Sequence, residues 1–241
     1  MQIAVPTSLG PARLTVAAAS TPRAVLWLGH GAGGGIDAVD LAAIAAVLPA
    51  HGVTVVREEQ PWRVAGKRVA PRPATLDTGW RESAAAVVRI AGSLPVVVGG
   101  RSAGARVACR TATELGAAAV VCLAFPLHPP GSPAKTRIDE LLLPAVPVLV
   151  LQGDRDTFGS AAAVSSAIDA HTRDVRDGDA HTGSGRISGP RTGGRPPIEV
   201  VPVPGADHSM RVLASSPLPA DDVATLVTDA VAAFLVRHVT T

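Results

Sequence analysis

The chain has 241 residues, long enough for one sizeable core, and its 22 Lys and Arg against 20 Asp and Glu leave a net charge of only +2. That balance gives no reason to invoke nucleic acid or an anionic membrane as a partner. Hydrophobic residues make up 47% of the chain and aromatics 2%, so the core must be built from Ala, Val and Leu. Residues 2–18 alternate weakly and contain Pro6 and Pro11, which predicts a peripheral pair of strands at a sheet edge. Ala24 to Leu28 is a continuous apolar strand, followed by the glycine-rich Gly29-His30-Gly31-Ala32-Gly33-Gly34-Gly35 and a helix predicted from Val39 to Pro49. Val53 to Val56 is the next strand. A polar stretch from Glu58 to Pro73 then leads into a helix from about Leu76 to Ala91 and a short β-branched strand at Pro95 to Val98. The alternation continues with a strand over Ala118–Ala124, a helix over Lys135–Leu143, a strand over Val146–Leu151 and a helix over Ser160–Ala170. From Thr172 to Pro197 the composition shifts to Gly, Arg, Ser, Asp and Pro with almost no aliphatic residues, which reads as a flexible surface insertion. Ile198–Val203 restores a strand, and a long amphipathic helix is expected over Asp221–His238, capped by Asp221 or Asp222.

This order predicts a single α/β domain over residues 1–241, a mostly parallel sheet with helices on both faces and ligands gathered at the carboxyl ends of the strands. The two cysteines, Cys109 and Cys122, lack metal-ligand spacing and read as small buried hydrophobes, with no disulfide expected. The first sixteen residues have no basic region before an apolar run, and no segment has roughly 18 uninterrupted apolar residues. The expectation is therefore a cytoplasmic protein without signal peptide or membrane span; its oligomeric state is left open.

The segment on which the functional reading turns is Val96 to Arg106, VVVGGRSAGAR. Gly100-Arg101-Ser102-Ala103-Gly104 fits the pattern G-x-S-x-G, in which a serine sits on a sharp, strained turn between a buried strand and a helix. A serine hydroxyl is a poor nucleophile until a base removes its proton, so a histidine and an orienting carboxylate are needed at neighbouring strand ends. Gln152-Gly153-Asp154-Arg155-Asp156 follows one strand, and Pro204-Gly205-Ala206-Asp207-His208-Ser209-Met210 follows another. Among seven histidines, His171 and His181 lie in or beside the insertion, His51 and His238 at helix ends, and His30 and His128 before the acid, so His208 is the candidate base. Asp156 is favoured over Asp154 as the acid because the extra residues let it curl back toward the histidine loop.

The glycine-rich loop has two readings. Gly29-x-Gly31-x-x-Gly34 after a strand also satisfies a dinucleotide fingerprint, with Glu58 or Glu59 as the ribose ligand. Against this, Gly35-Ile36-Asp37 intervene before the helix, whereas the fingerprint needs its third glycine inside it. In the alternative reading the loop supplies the N–H of Ala32 to stand beside that of Ala103 as an oxyanion hole.

Taken with Phe125-Pro126-Leu127-His128-Pro129-Pro130-Gly131, these motifs, from about Ala24 onward, resemble the α/β-hydrolase superfamily. More narrowly, the chain resembles the dienelactone-hydrolase-like branch that includes a vertebrate testis-expressed protein and a subunit of a histone-acetylating complex. The resemblance implies an eight-stranded, mostly parallel sheet without a large cap domain, and Ser102, Asp156 and His208 as a catalytic triad. The nucleophile is serine where dienelactone hydrolases proper use cysteine, so lactone hydrolysis does not carry over. Arg101 either binds an acidic substrate group or, the favoured reading, packs its guanidinium over neighbouring strand ends. His30 and His128 are further pocket candidates, His128 equally readable as a loop hydrogen-bonder.

The function so expected is hydrolysis of a carboxylic ester, thioester or related small acyl substrate through an acyl-enzyme, needing neither cofactor nor metal. The alternative is a binding or scaffolding protein on the same fold, since fold does not fix function.

Overall fold

The computed structural model describes residues 1–132, 134–181, 196–216 and 218–240, with 174–181 in backbone only. Strands β1 (Gln2–Val5) and β2 (Ala12–Ala17) form the edge hairpin, and β3 (Ala24–Gly29) precedes helix α1 (Val39–Val47). Next come β4 (Val53–Glu59), the single turn α2 (Pro61–Val64), α3 (Pro73–Ala91), β5 (Val96–Arg101) and α4 (Ala103–Thr111). Then β6 (Ala119–Leu123), the single turn α5 (Ile138–Leu141), β7 (Val148–Gly153), α6 (Ala161–His181), β8 (Ile198–Val203) and α7 (Ala220–His238) complete the order. All eight strands join one sheet in the order β1-β2-β4-β3-β5-β6-β7-β8. The β1–β2 and β2–β4 pairs are antiparallel and the remaining pairs parallel, so the carboxyl ends of β3 to β8 share one edge.

Side chains of a strand alternate between faces, and the interior strands are apolar on both, as a sheet covered on each side requires. One face carries Val25, Trp27, Val98, Val120, Cys122 and Val150 against α3, α4, α5 and α6. The other carries Leu26, Leu28, Val97, Val121, Leu149 and Leu151 against α1 and α7. Each fully buried Val or Leu contributes about 1.5–3 kcal/mol relative to exposure. The few aromatics are used for packing: Trp27 and Trp80 stack with ring centroids 3.7 Å apart and planes 7° from parallel. Cys109 and Cys122 are buried free thiols in contact across the first layer, Sγ to Sγ 3.4 Å.

Several boundaries depart from the sequence expectation for local reasons. The helix from Val39 stops at Val47 and tightens into a 3-10 turn over Leu48–His51, because Pro49 cannot donate to the helical ladder. The expected loop from Thr172 is helical as far as His181; Arg and Ala are strong helix formers and propagate a helix without needing an aliphatic face. The rest of the predicted insertion, residues 182–195, lies outside the described residues. The expected cap of the last helix is replaced by Pro219, with no side-chain cap bond, while Asp221 and Asp222 sit inside the first turn and act on the helix dipole instead. Among the described residues no helix is long and apolar enough to cross a membrane.

Glu58, the carboxylate that a dinucleotide site would need, is fully buried between the Trp27 indole and Ser83. Trp27 Nε1–H donates to Oε2 at 2.9 Å, and Ser83 Oγ lies 3.1 Å from Oε1 and 3.2 Å from the Gly79 carbonyl. Burial pushes its pKa from 4.5 up to about 8. A protonated carboxyl satisfies all three groups, letting Ser83 accept from Glu58 while donating to Gly79. Between the ordinary carboxyl range and about pH 8 the folded chain thus holds a proton that the unfolded chain has lost, so this contribution falls as pH rises. Glu58→Gln, which keeps a donor and an acceptor in the same places, should abolish that slope. Denaturant midpoints at pH 5 and pH 8 should show the parent losing on the order of 3 kcal/mol relative to the variant.

Candidate active site

The turn after β5 places Ser102 at φ 53° and ψ −109°, a conformation that L-residues seldom adopt, with its N–H donating to the Leu123 carbonyl at 2.9 Å. What forces the turn is the closeness of the neighbouring strand: a Cβ on Gly104 would overlap the Gly29 carbonyl and lie 2.9 Å from that of His30. Gly104 therefore lets the first turn of α4 lie directly on the end of β3.

Three strand ends converge at this turn. Ser102 Oγ is 2.9 Å from His208 Nε2, and His208 Nδ1 is 2.8 Å from Asp156 Oδ2. With Nδ1–H donating to the carboxylate, Nε2 is free to accept the serine proton. The Asp156 side chain is 0% exposed, and every one of its bonds points it at the ring. Oδ2 also accepts from Gln152 Nε2 at 2.9 Å, and Oδ1 accepts the Phe158 N–H at 2.8 Å. The Phe158 ring meets the imidazole edge-on, with centroids 4.4 Å apart. Asp154, the other acid considered, is exposed, and its backbone is tied to β8 through the Val203 carbonyl. Gln152 is a site residue that the sequence reading missed. Its signal was a lone amide at the carboxyl end of an otherwise apolar strand.

A cavity of about 400 Å³ opens in front of Ser102, lined by the glycine loop, the start of α1, Arg101, His208 and Arg211. Ala32 lies on its wall, and Ala103 is the first residue of α4, where helix geometry leaves the N–H without an intrahelical partner. Gly31 packs against Ser102, an ideal Cβ there lying 3.4 Å from the serine Cβ, so the loop backbone is within reach of a group bonded to Ser102.

Of the further pocket candidates, Arg101 is on the cavity wall while its guanidinium is bonded to protein. Nε meets Asp40 Oδ2 at 3.0 Å and Nη2 donates to the His208 carbonyl. The guanidinium is therefore tied to α1 and to the loop that carries His208. His30 is not brought to the cavity. Its ring is buried behind the loop, Nε2 accepting the Gln60 N–H at 3.2 Å and Nδ1 lying 2.8 Å from the Gly31 carbonyl; burial lowers its pKa and keeps it neutral. His128 lines a separate cleft with Phe158 and bonds the Lys135 carbonyl through Nδ1 at 2.8 Å. Glu59, the other ribose candidate, is paired with Arg13 at 3.1 Å. Among the described residues no three His, Cys, Asp or Glu side chains are gathered as a metal site would require.

The strand order, the strained serine turn and the three converging strand ends define the α/β-hydrolase class. A family model described as an alpha/beta hydrolase domain matches residues 22–192, and the chain belongs to that family. Among solved structures, the chain is similar to an α/β serine hydrolase homologue from Coxiella burnetii, with a TM-score of 0.69 at 15% identity over 95% of this chain and 96% of that one. It is also similar to a lidless α/β serine hydrolase from Xanthomonas campestris, with a TM-score of 0.66 at 17% identity over 100% and 95% of the two chains. The esterase domain of a Rhodothermus marinus protein gives a TM-score of 0.61 at 16% identity over 99% and 98%. At these identities the likeness establishes the fold. No curated protein sequence matches the chain.

The histidine loop also depends on a close approach, because a Cβ on Gly153 would overlap the Ala206 carbonyl. Gly153→Ala should displace the loop that carries His208, lowering turnover about 10-fold or more and lowering the melting temperature; thermal melts and steady-state rates on one preparation check both.

Proposed function

We propose that the protein is a serine hydrolase of small acyl substrates, carboxylic esters or thioesters, working through an acyl-enzyme. The observation that carries the reading is the unbroken hydrogen-bonded line Ser102–His208–Asp156, with links of 2.9 and 2.8 Å, facing a cavity of about 400 Å³.

In this reading Ser102 Oγ attacks the acyl carbonyl carbon as its proton passes to His208 Nε2. The new imidazolium is stabilised by the Asp156 carboxylate, which keeps its own proton-free state. Negative charge moves onto the former carbonyl oxygen, which the amides of Ala32 and Ala103 receive, an interaction worth about 3 kcal/mol in the transition state. Collapse returns the proton from Nε2 to the departing alkoxide or thiolate, leaving an ester on Ser102. Water then repeats the sequence, giving its proton to His208 and releasing the carboxylic acid. Every group required belongs to the chain. The narrower kinship with dienelactone-hydrolase-like proteins is supported by the order and spacing of the motifs, with serine as nucleophile. A single domain, a cytoplasmic location and a small-molecule partner belong to the same proposal.

Ser102→Ala should abolish labelling by a fluorophosphonate probe, with the modified peptide of the parent mapping to residues around Ser102; persistent labelling in the variant would remove this nucleophile. Asp156→Asn should retain the fold yet lower kcat by about 10⁴-fold. The parent's kcat/KM should fall on acidification through roughly pH 6–7, where histidines ordinarily protonate, and a flat profile there would argue against His208 as base.

A further inference from the structure

Arg101 stands immediately before Ser102, at the end of a central strand, and its side chain is only 11% exposed. A guanidinium taken that far out of water must be paired, and its partner Asp40 has a side chain 0% exposed. Asp40 is itself held, since Oδ1 accepts the Leu41 N–H at 2.9 Å in the first turn of α1. With Nε committed to Asp40, the same planar guanidinium presents Nη2 to the His208 carbonyl. The loop is tied to its neighbour on one side of this point and closed by a turn of its own across it. The Ala206 carbonyl accepts the Arg155 N–H at 3.0 Å, and the Met210 N–H donates to the Asp207 carbonyl at 2.9 Å. Arg101 thus ties down the carbonyl of the very residue that carries the base.

We propose that Arg101, oriented by Asp40, is a positioning residue that fixes the backbone of His208 relative to Ser102. The inference rests on the hydrolase reading above and adds a second anchor to it. Asp156 holds the imidazole at Nδ1 and Phe158 packs against its edge, contacts that grip the ring and leave the peptide behind it free to shift. Arg101 removes that freedom from the other end. Its backbone is covalently joined to Ser102, so the tie measures nucleophile against base directly, with α1 as the wall it braces on. Lysine cannot substitute, because a single ammonium on a flexible stem does not hold a carboxylate and a carbonyl in one plane.

The test separates positioning from fold support. Arg101→Met alone leaves Asp40 buried and unpaired, so it should lower both stability and turnover. The double variant Asp40→Asn with Arg101→Met has no buried charge and keeps the bond to Leu41. It should therefore recover much of the lost melting temperature while kcat stays about 100-fold below the parent, with KM within about twofold. Fluorophosphonate labelling of Ser102 should slow in parallel in both variants. If the double variant regains parental kcat together with its melting temperature, or if Arg101→Met labels at the parental rate, the inference is overturned while the hydrolase reading stands. If the parent itself fails to label at Ser102, the hydrolase reading falls and takes the inference with it.

Discussion

The backbone at Ser102, held at φ 53° and ψ −109°, costs on the order of 1–3 kcal/mol, and the surrounding structure must over-determine it for it to persist. It does so from three directions. The sheet anchors the residue before it, the Leu123 carbonyl takes its N–H, and the first turn of α4 is pressed onto the end of β3 at a place that only Gly104 can occupy. Strain is not confined to the serine. Among the described residues the non-glycine positions with positive φ are Ser102, Ala124 and Met210, which follow β5, follow β6 and lie in the histidine loop, respectively. All three belong to the carboxyl edge of the sheet, where the chain turns sharply to bring side chains of separate strands together.

Parallel pairing makes that convergence a matter of counting. Arg101 pairs with Leu123, Leu123 with Leu151, and Gly153 with Val203, so the ends of β5 to β8 are nearly level. Past that edge Ser102 is the first residue, Asp156 the third and His208 the fifth. Asp154 does not meet the imidazole because it comes too soon: its N–H still reaches across to the Val203 carbonyl at 3.3 Å, extending the pairing, and its side chain is exposed. By Asp156 the chain has turned back on itself, its N–H returning to the Gly153 carbonyl. The carboxylate then meets the imidazole, with Gln152 and the Phe158 amide as its further donors.

The interior strands were legible in the sequence as short, largely apolar runs and the edge pair as a weak alternation broken by prolines, and Ser102, Asp156 and His208 stood out because all follow such runs. The helix ends were less so. Helix α6 continues past Ile168 through residues with no aliphatic face, and composition alone cannot distinguish a polar helix from a polar loop. What stayed hidden were the polar pairs made between distant segments. Arg101 meets Asp40 across 61 positions and the His208 carbonyl across 107, and Trp27 meets Glu58 across 31. Such pairs exist only once register and crossover are fixed, and a lone Asp in a helix or Glu in a strand carries no mark of its partner. The glycine loop was ambiguous for a related reason. Its glycines suited two chemistries, and the fate of the two candidate ribose ligands, Glu58 buried against the Trp27 N–H and Glu59 paired with Arg13, is a property of the assembled fold.

His208 and His30 are put in opposite settings by what surrounds them. His208, with a side chain 21% exposed, has one nitrogen on a carboxylate and the other on a hydroxyl, so either protonation state finds partners there. His30 has no such latitude. The Gln60 N–H points at its Nε2, so only the neutral ring with its proton on Nδ1 can also donate to the Gly31 carbonyl. Protonation would set donor against donor inside a buried pocket, and burial lowers the pKa of this ring accordingly. Falling pH below the ordinary histidine range then favours the unfolded chain, which can take up the proton that the folded ring refuses. Gly31 abuts Ser102, so the stretch of loop beside the serine is the one whose carbonyl the neutral His30 ring holds.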